Sequence, residues 1–480
     1  MSRRLVTLMA CLALLATSCG LKPGVQLAAG GGGAAGETAG EVTDGSGAAV
    51  DPATGEAVAE TTAGGSTIGA GSSGTGGGST SGGSTAGGAT PGATTKPGSS
   101  PAAVTKTGPG DRTGIDDAKK IIRIGIHAPV TGAAPVQQTS FETGRKVYWD
   151  FLKEKGGLFG GYTVEVFFED DEFNPAVAVQ KCRKMVEQNK VFLLVGGGGA
   201  DQITACAKYA NSIGVPYLSA GVNEEGLSAL KTYFATSQTY SQQSPLIAQL
   251  VKNQYAAKPT AVLVADSAPF NDAYASIKAE LKKQGVSIVV DKRINKSLSQ
   301  GEAIQLVNEM RTAGVANVYI LASPTSFINL AQQGQGQGFV PQYLGPGLTS
   351  GLNTVANLGC PGIGKANFLS PFPQLDAIDK LDPDFRPAYQ KYGGGSPDDI
   401  GIALWGLNKS LGVAFEAAGK DMSRQSFMAT LESGKKFSTN VYPPVSYVPG
   451  KHFGATQSHL LEADCGPRTY KTKATFASSF

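Results

Sequence analysis

Val191-Phe192-Leu193-Leu194-Val195-Gly196-Gly197-Gly198-Gly199-Ala200-Asp201-Gln202-Ile203 decides how this chain is read. Five apolar residues stop at four glycines, and a helical pattern from Gln202 to Ile213 follows. A short apolar run bounded by turn residues fits a strand buried on both faces. Gly214 then ends the helix, and Val215 to Ser219 forms the next buried strand.

Moving outward from this unit, Ile121 to Ile126 reads as a buried strand, Thr143 to Lys155 as a helix and Val164 to Phe168 as a strand. Asn174-Pro175 opens the next helix, since Asn caps and Pro suits the first turn. The succession βαβαβαβ is the signature of a parallel sheet with helices on both faces. It then restarts. Ser244-Pro245 is read as capping a helix. Strands are expected at Thr260–Ala265, Val286–Val290, Val318–Ala322 and Gln342–Gly345, with a helix at Asn271–Gln284. Further helices are read around Pro383–Tyr392, Ile400–Ala418 and Ser423–Ser433. The fold class is therefore α/β, with two doubly wound units in series.

The first 114 residues differ in kind. Arg3 and Arg4 precede the apolar run Leu5 to Leu15, which is shorter than the roughly 20 residues a spanning helix needs. Leu15-Ala16-Thr17-Ser18-Cys19 resembles a bacterial lipobox, which implies a signal over 1–19 and lipid on Cys19. Residues 20–114 hold Gly, Ser, Thr, Ala and Pro with few large apolar side chains, so burial cannot offset the entropy of ordering them. This segment is expected to be a tether with an r.m.s. span of roughly 55 Å. Residues 115–480 form the folded part. Net charge is +3 with no basic block, which leaves no electrostatic footprint for nucleic acid.

Beyond Cys11 and Cys19, four cysteines remain: Cys182, Cys206, Cys360 and Cys465. An even number in an exported chain predicts two disulfides. Cys182 and Cys206 fall on the apolar stripes of helices that a doubly wound sheet sets side by side, which favours their pairing. Cys360–Cys465 follows by elimination.

In open parallel sheets, ligands bind beyond the carboxyl ends of strands. The glycine run is the most informative such loop. Without Cβ atoms its backbone N–H groups can face a ligand, and the helix end that follows favours an anion such as a carboxylate or phosphate. The acidic cluster Glu169-Asp170-Asp171-Glu172 is read as a solvated rim rather than a metal site. Gly69 to Gly74 matches a dinucleotide motif but has no strand before it, and Gly359 to Lys365 has P-loop spacing but ends in Ala366. Neither G-x-S-x-G nor H-E-x-x-H occurs. Of the three histidines, His127 at the end of the first strand is read as packed or solvated. No cofactor is expected.

Ile124–Gly132 with Gly144, Gly156-Gly157, Asp170-Asp171 with Pro175, Val191–Gly199 and Gly214–Gly221, in this order and spacing, make residues 121–480 resemble the leucine/isoleucine/valine-binding protein family. The resemblance implies two Rossmann-like lobes joined by three hinge crossings near Thr236–Tyr240, Pro371–Gln374 and Val441–Val445. Lobe 1 would take about 121–238 and 373–442, and lobe 2 about 239–372 and 443–480. It further implies ligand contacts at Gly199, Ala200, Gly221, Asn223, Phe270 and Ser323, to which the strand-end loops add Gly132 and Asp201 as candidate contacts. The family's acidic partner for a ligand ammonium matches Gly347 here, which puts an ordinary branched-chain amino acid in doubt. Asp201 and Asp272 are the nearby carboxylates that could take its place.

The function so implied is capture of a small molecule, an amino acid or a related amide or carboxylate, in the cleft between lobes for an ABC importer. The partners are the ligand, the permease subunits and, through lipid, the outer face of the cell membrane. The family expectation is a monomer without enzymatic activity. A ligand-sensing receptor of the same fold and an exported α/β enzyme are the alternatives.

Overall fold

A computed structural model describes residues 110–133, 135–219, 225–347 and 352–480. The proposed signal, Cys19 and nearly all of the expected tether lie outside these residues, as do Gly221 and Asn223.

Lobe 1 opens with β1 (Ile115–Asp116), β2 (Ile121–Ala128), α1 (Gln138–Glu154), β3 (Thr163–Asp170) and α2 (Pro175–Glu187), and continues with β4 (Leu193–Gly196), α3 (Ala200–Ile213), β5 (Tyr217–Ser219) and β6 (Tyr233–Ala235). The parallel strands lie in the order β3-β2-β4-β5-β6, and β1 runs antiparallel along the start of β2. The apolar runs read from the sequence become strands because both faces of this sheet are covered. One core holds Ile124, Phe141, Val195 and Trp405; the other holds Cys182, Leu194, Ile203 and Cys206.

Lobe 2 takes α4 (Tyr240–Gln254), β7 (Thr260–Ala265), α5 (Asn271–Lys283), β8 (Ile288–Ile294), α6 (Gln300–Thr312), β9 (Asn317–Leu321), α7 (Pro324–Gly336), β10 (Gln342–Pro346), α8 (Leu352–Gly359) and β11 (Asn367–Ser370). The chain returns to lobe 1 for α9 (Leu375–Leu381), α10 (Phe385–Ala388), α11 (Asp399–Ala418), α12 (Arg424–Leu431) and the hairpin β12 (Lys436–Phe437) and β13 (Val445–Ser446). It ends in lobe 2 with β14 (Ser458–Asp464) and β15 (Thr469–Ala477), giving the order β15-β14-β11-β10-β9-β7-β8. The fold is thus the doubly wound pair expected, with the last two strands antiparallel at one edge.

Besides shifts of a few residues at other ends, as where α1 starts at Gln138 rather than Thr143 and β4 at Leu193 rather than Val191, three details differ from the reading. The helix placed after Ser244-Pro245 begins earlier, at a Thr239 cap in a reciprocal capping box with Gln242, and Pro245 lies inside it. Proline has no N–H for the Ser241 carbonyl, and the Ser276 hydroxyl of α5 donates to that carbonyl instead, at 3.3 Å. Strand β8 starts at Ile288 rather than Val286. The third crossing is not at Val441–Val445: Val441, Tyr442, Val445, Tyr447 and Ala455 are all buried in the core of lobe 1, so the chain crosses just before Ser458. There the Ser458 hydroxyl donates to Gln238 Oε1 at 2.7 Å, joining the first and third crossings.

Each lobe holds one disulfide, Cys182–Cys206 between α2 and α3 and Cys360–Cys465 between the end of α8 and the β14–β15 hairpin. At the base of lobe 1, buried Arg424 donates to the carbonyls of Val191 and Phe192 and pairs with Asp111 at 2.8 Å. The first described residues are thereby fixed to the pole that carries the start of β2.

Candidate functional site

In each sheet one strand has neighbours that leave in opposite directions. In lobe 1 it is β2, between β3 and β4; in lobe 2 it is β7, between β8 and β9. The loops at such a switch point diverge and leave a crevice. Those loops hold Gly132 and Gly197–Gly199 in lobe 1, and Ser267, Phe270 and Ser323 in lobe 2.

The glycine loop rests on a buried polar floor. His127 Nδ1 lies 2.7 Å from Asp171 Oδ2, and its Nε2 lies 2.7 Å from the Tyr217 hydroxyl; His127 and Asp171 are fully buried. A carboxylate only accepts, so Nδ1 donates to it, and in the neutral ring Nε2 accepts from the tyrosine hydroxyl. Burial drives the Tyr217 hydroxyl well above its ordinary pKa, so it stays a donor. The His127 carbonyl accepts the Gly197 N–H at 2.8 Å, and a Cβ at Gly196 would come within 2.5 Å of Tyr217 Oη. Close backbone approach, rather than a ligand alone, thus requires glycine at 196. At Gly199, φ is +77°, and a Cβ would run into Gln202.

Gly199 gives α3 no side-chain cap, and α1 has none either. Among the described residues, neither helix leaving the lobe 1 switch point has a side-chain cap for its first-turn N–H groups. Gln202, in that first turn of α3, is buried, and its Oε1 has no hydrogen-bond partner among the described residues. The sequence reading passed over it; its signal was a polar residue on the buried side of the helix directly after the glycines.

The lobes meet across this crevice. Ala200 packs against the core of lobe 2. Asp201 accepts from the Ser267 hydroxyl at 2.8 Å and pairs with Lys296 at 2.6 Å. Phe270 is buried edge-on against Tyr240. Ser323 caps α7 by accepting from Ser326 N at 3.2 Å and donates to the Lys296 carbonyl. Gly132, with φ +91°, packs against the backbone of Glu172, in a loop held by Asp170, which accepts from Val130 N and Thr131 N. Those bonds and the Thr131 hydroxyl hold Asp170 below the usual carboxylate range, against the opposing effect of its burial.

The position matching the family's acidic partner, Gly347, backs directly onto Leu369 of β11, where any side chain would collide with the Leu369 carbonyl. Asp201 is committed to Lys296, and Asp272 accepts from Ser241. A carboxylate that the sequence reading missed is Asp399, buried at the start of α11, which accepts from Asn353 N in lobe 2 at 3.3 Å. The acidic cluster is used structurally: Glu169 pairs with Lys184, Asp170 holds its loop and Asp171 holds His127. His127, Cys182 and Cys206 lie close together, but those two sulfurs are bonded to each other, so the group does not fit a metal site.

Residues 121–468 match the family model described as periplasmic binding protein. An amino acid binding protein from Pseudomonas aeruginosa is 24% identical over 306 residues, covering 62% of this chain and 78% of that one. A solute binding protein of an ABC transporter from Rhodopseudomonas palustris BisB5, solved with 3,4-dihydroxybenzoic acid, superposes with a TM-score of 0.63 at 19% identity, over 75% of this chain and 98% of that one. A leucine binding protein from Thermotoga maritima MSB8 gives 0.62 at 15% identity, over 73% and 97%.

Proposed function

The chain belongs to the periplasmic binding protein family, and from that premise we propose that it captures a small carboxylate-bearing solute between its lobes and delivers it to an ABC importer. The observation that carries this reading is the uncapped start of α3 behind Gly197–Gly199, set at the switch point and facing lobe 2. Backbone N–H groups at such an end suit a carboxylate. That group is common to the leucine and dihydroxybenzoate that the names of the two compared structures mention. Gly221 and Asn223, which follow β5 in the sequence, are further proposed contacts, and Phe270 is a flat apolar wall for the solute's body. Lipid on Cys19 would hold the receptor at the outer face of the membrane as a monomer.

A panel of leucine, valine, benzoate, 3,4-dihydroxybenzoate and medium-chain fatty acids tests the reading by thermal shift. A bound solute at a hundredfold excess over Kd stabilises the fold by about 2.7 kcal/mol, so at least one probe should raise Tm by several degrees and be recovered chemically unchanged. A flat response across the panel would sink carboxylate capture, and a converted probe would restore the enzyme reading.

A further inference from the structure

Asp399 joins the two lobes as a buried carboxylate, unlike Asp376 of α9, which accepts from Thr472 of β15 at an exposed position. It belongs to lobe 1, yet it accepts from the N–H of Asn353 in the first turn of α8, in lobe 2. It is 2% exposed. Its neighbour Asp398 caps α11 through Gly401 N at 2.9 Å and accepts from the Ser140 hydroxyl of α1. Buried Tyr470 of β15, whose hydroxyl has no hydrogen-bond partner among the described residues, feels the charge of Asp399, and Tyr389 feels that of Asp398; burial and these charges raise both phenols. Among the described residues, neither carboxylate has a lysine, arginine or histidine in ion-pair range. A buried carboxylate beside a second one, with only peptide N–H groups to balance it, is costly to keep ionised.

We propose that the contact between the lobes through Asp399 takes up a proton, so that closure of the receptor is favoured at mildly acid pH and weakened at alkaline pH. The inference rests on the clamp reading, because only lobes that separate can expose this carboxylate. Burial, and then the charge of Asp398, push its pKa up to about 7 in the joined structure. Solvated, it returns toward the ordinary value of about 4. The sign follows. The pKa is raised in the joined state, so the contact's contribution is complete below about pH 4 and is lost as pH rises through about 7.

Closure can be read without a solute. Ser267 Oγ and Asp201 lie within hydrogen-bond reach across the crevice, so a protein carrying Asp201→Cys and Ser267→Cys can be trapped closed by diamide, and the rate of trapping reports the closed population. The rate with Asp399 is divided by the rate with Asp399→Asn at each pH, which cancels thiol ionisation and the titration of hinge residues such as His459. The expected ratio falls about tenfold from pH 6 to pH 8. A ratio that does not change with pH overturns the proposal. Should Asp399→Asn not fold, Asp398→Asn serves, because Asn remains a good cap. Removing that charge must move the midpoint of the pH dependence downward, and an unmoved midpoint overturns the proposal equally. Since no solute enters this measurement, a failed solute panel and a failed proton linkage are separate results.

Discussion

The two lobes share a winding plan but finish their helix starts differently. At the lobe 1 switch point, α1 and α3 both begin without a side-chain cap. In lobe 2, α5 likewise begins without a cap, and the outer helices α2 and α6 are both capped, by Asn174 and Ser299, so the lobes differ at α7, which Ser323 caps where α3 has no cap. A side-chain cap takes up one or two of the free N–H groups at a helix start, whereas an uncapped start leaves them for whatever acceptor arrives. Under the proposed function, recognition of the solute's anionic group would fall chiefly to lobe 1, with lobe 2 supplying a wall and a lid.

The largest effect that can test this division concerns the frames that hold each lobe. Cys360–Cys465 spans 105 residues and Cys182–Cys206 spans 24. On loop-closure entropy, replacing the first pair by serine should cost roughly 4–5 kcal/mol and the second roughly 3–4 kcal/mol. Urea unfolding of the two double variants checks the order. A greater loss from the shorter loop would mean that α2 and α3 hold lobe 1 by more than chain entropy.

A smaller but more pointed effect is expected at Gly199. Alanine there combines an unfavourable φ with a collision at Gln202, for roughly 1–3 kcal/mol of stability, and it should abolish any solute-induced rise in Tm. If the solute response survives, the glycine loop is not the receiving surface. In lobe 2, Ser323→Ala removes the α7 cap and should cost about 1 kcal/mol. Its solute response should persist, because that hydroxyl is spent on Ser326 and on the Lys296 carbonyl. A lost response would show that Ser323 touches the solute and would erase the contrast between the lobes.

The parallel units were legible because strands buried on both faces leave uninterrupted apolar runs, as at Val191–Val195 and Thr260–Ala265. The terminal hairpin was not. Thr469–Ala477 alternates exposed and half-buried residues at a sheet edge, a pattern without a continuous apolar run. The glycine loop could be found from sequence because missing side chains mark a close backbone approach. Its floor could not, since Asp171 and Tyr217 reach His127 only through sheet pairing across β2, β3, β4 and β5. Asp399 was hidden for a related reason: beside Asp398 it reads as part of a helix start, and its distinction comes from Asn353, which is 46 residues away.

The grip of Arg424 on Asp111 has a mechanical consequence. Residue 110 enters beside the start of β2, at the end of the sheet away from the mouth of the crevice. Tension arriving from the preceding chain would be borne by the guanidinium and by the carbonyls of Val191 and Phe192 beneath it. That load runs into the foot of one half alone. Were the preceding chain anchored at Cys19 as proposed, a pull along it would turn or tow the whole body, and the proposed opening and closing of the lobes would proceed unloaded.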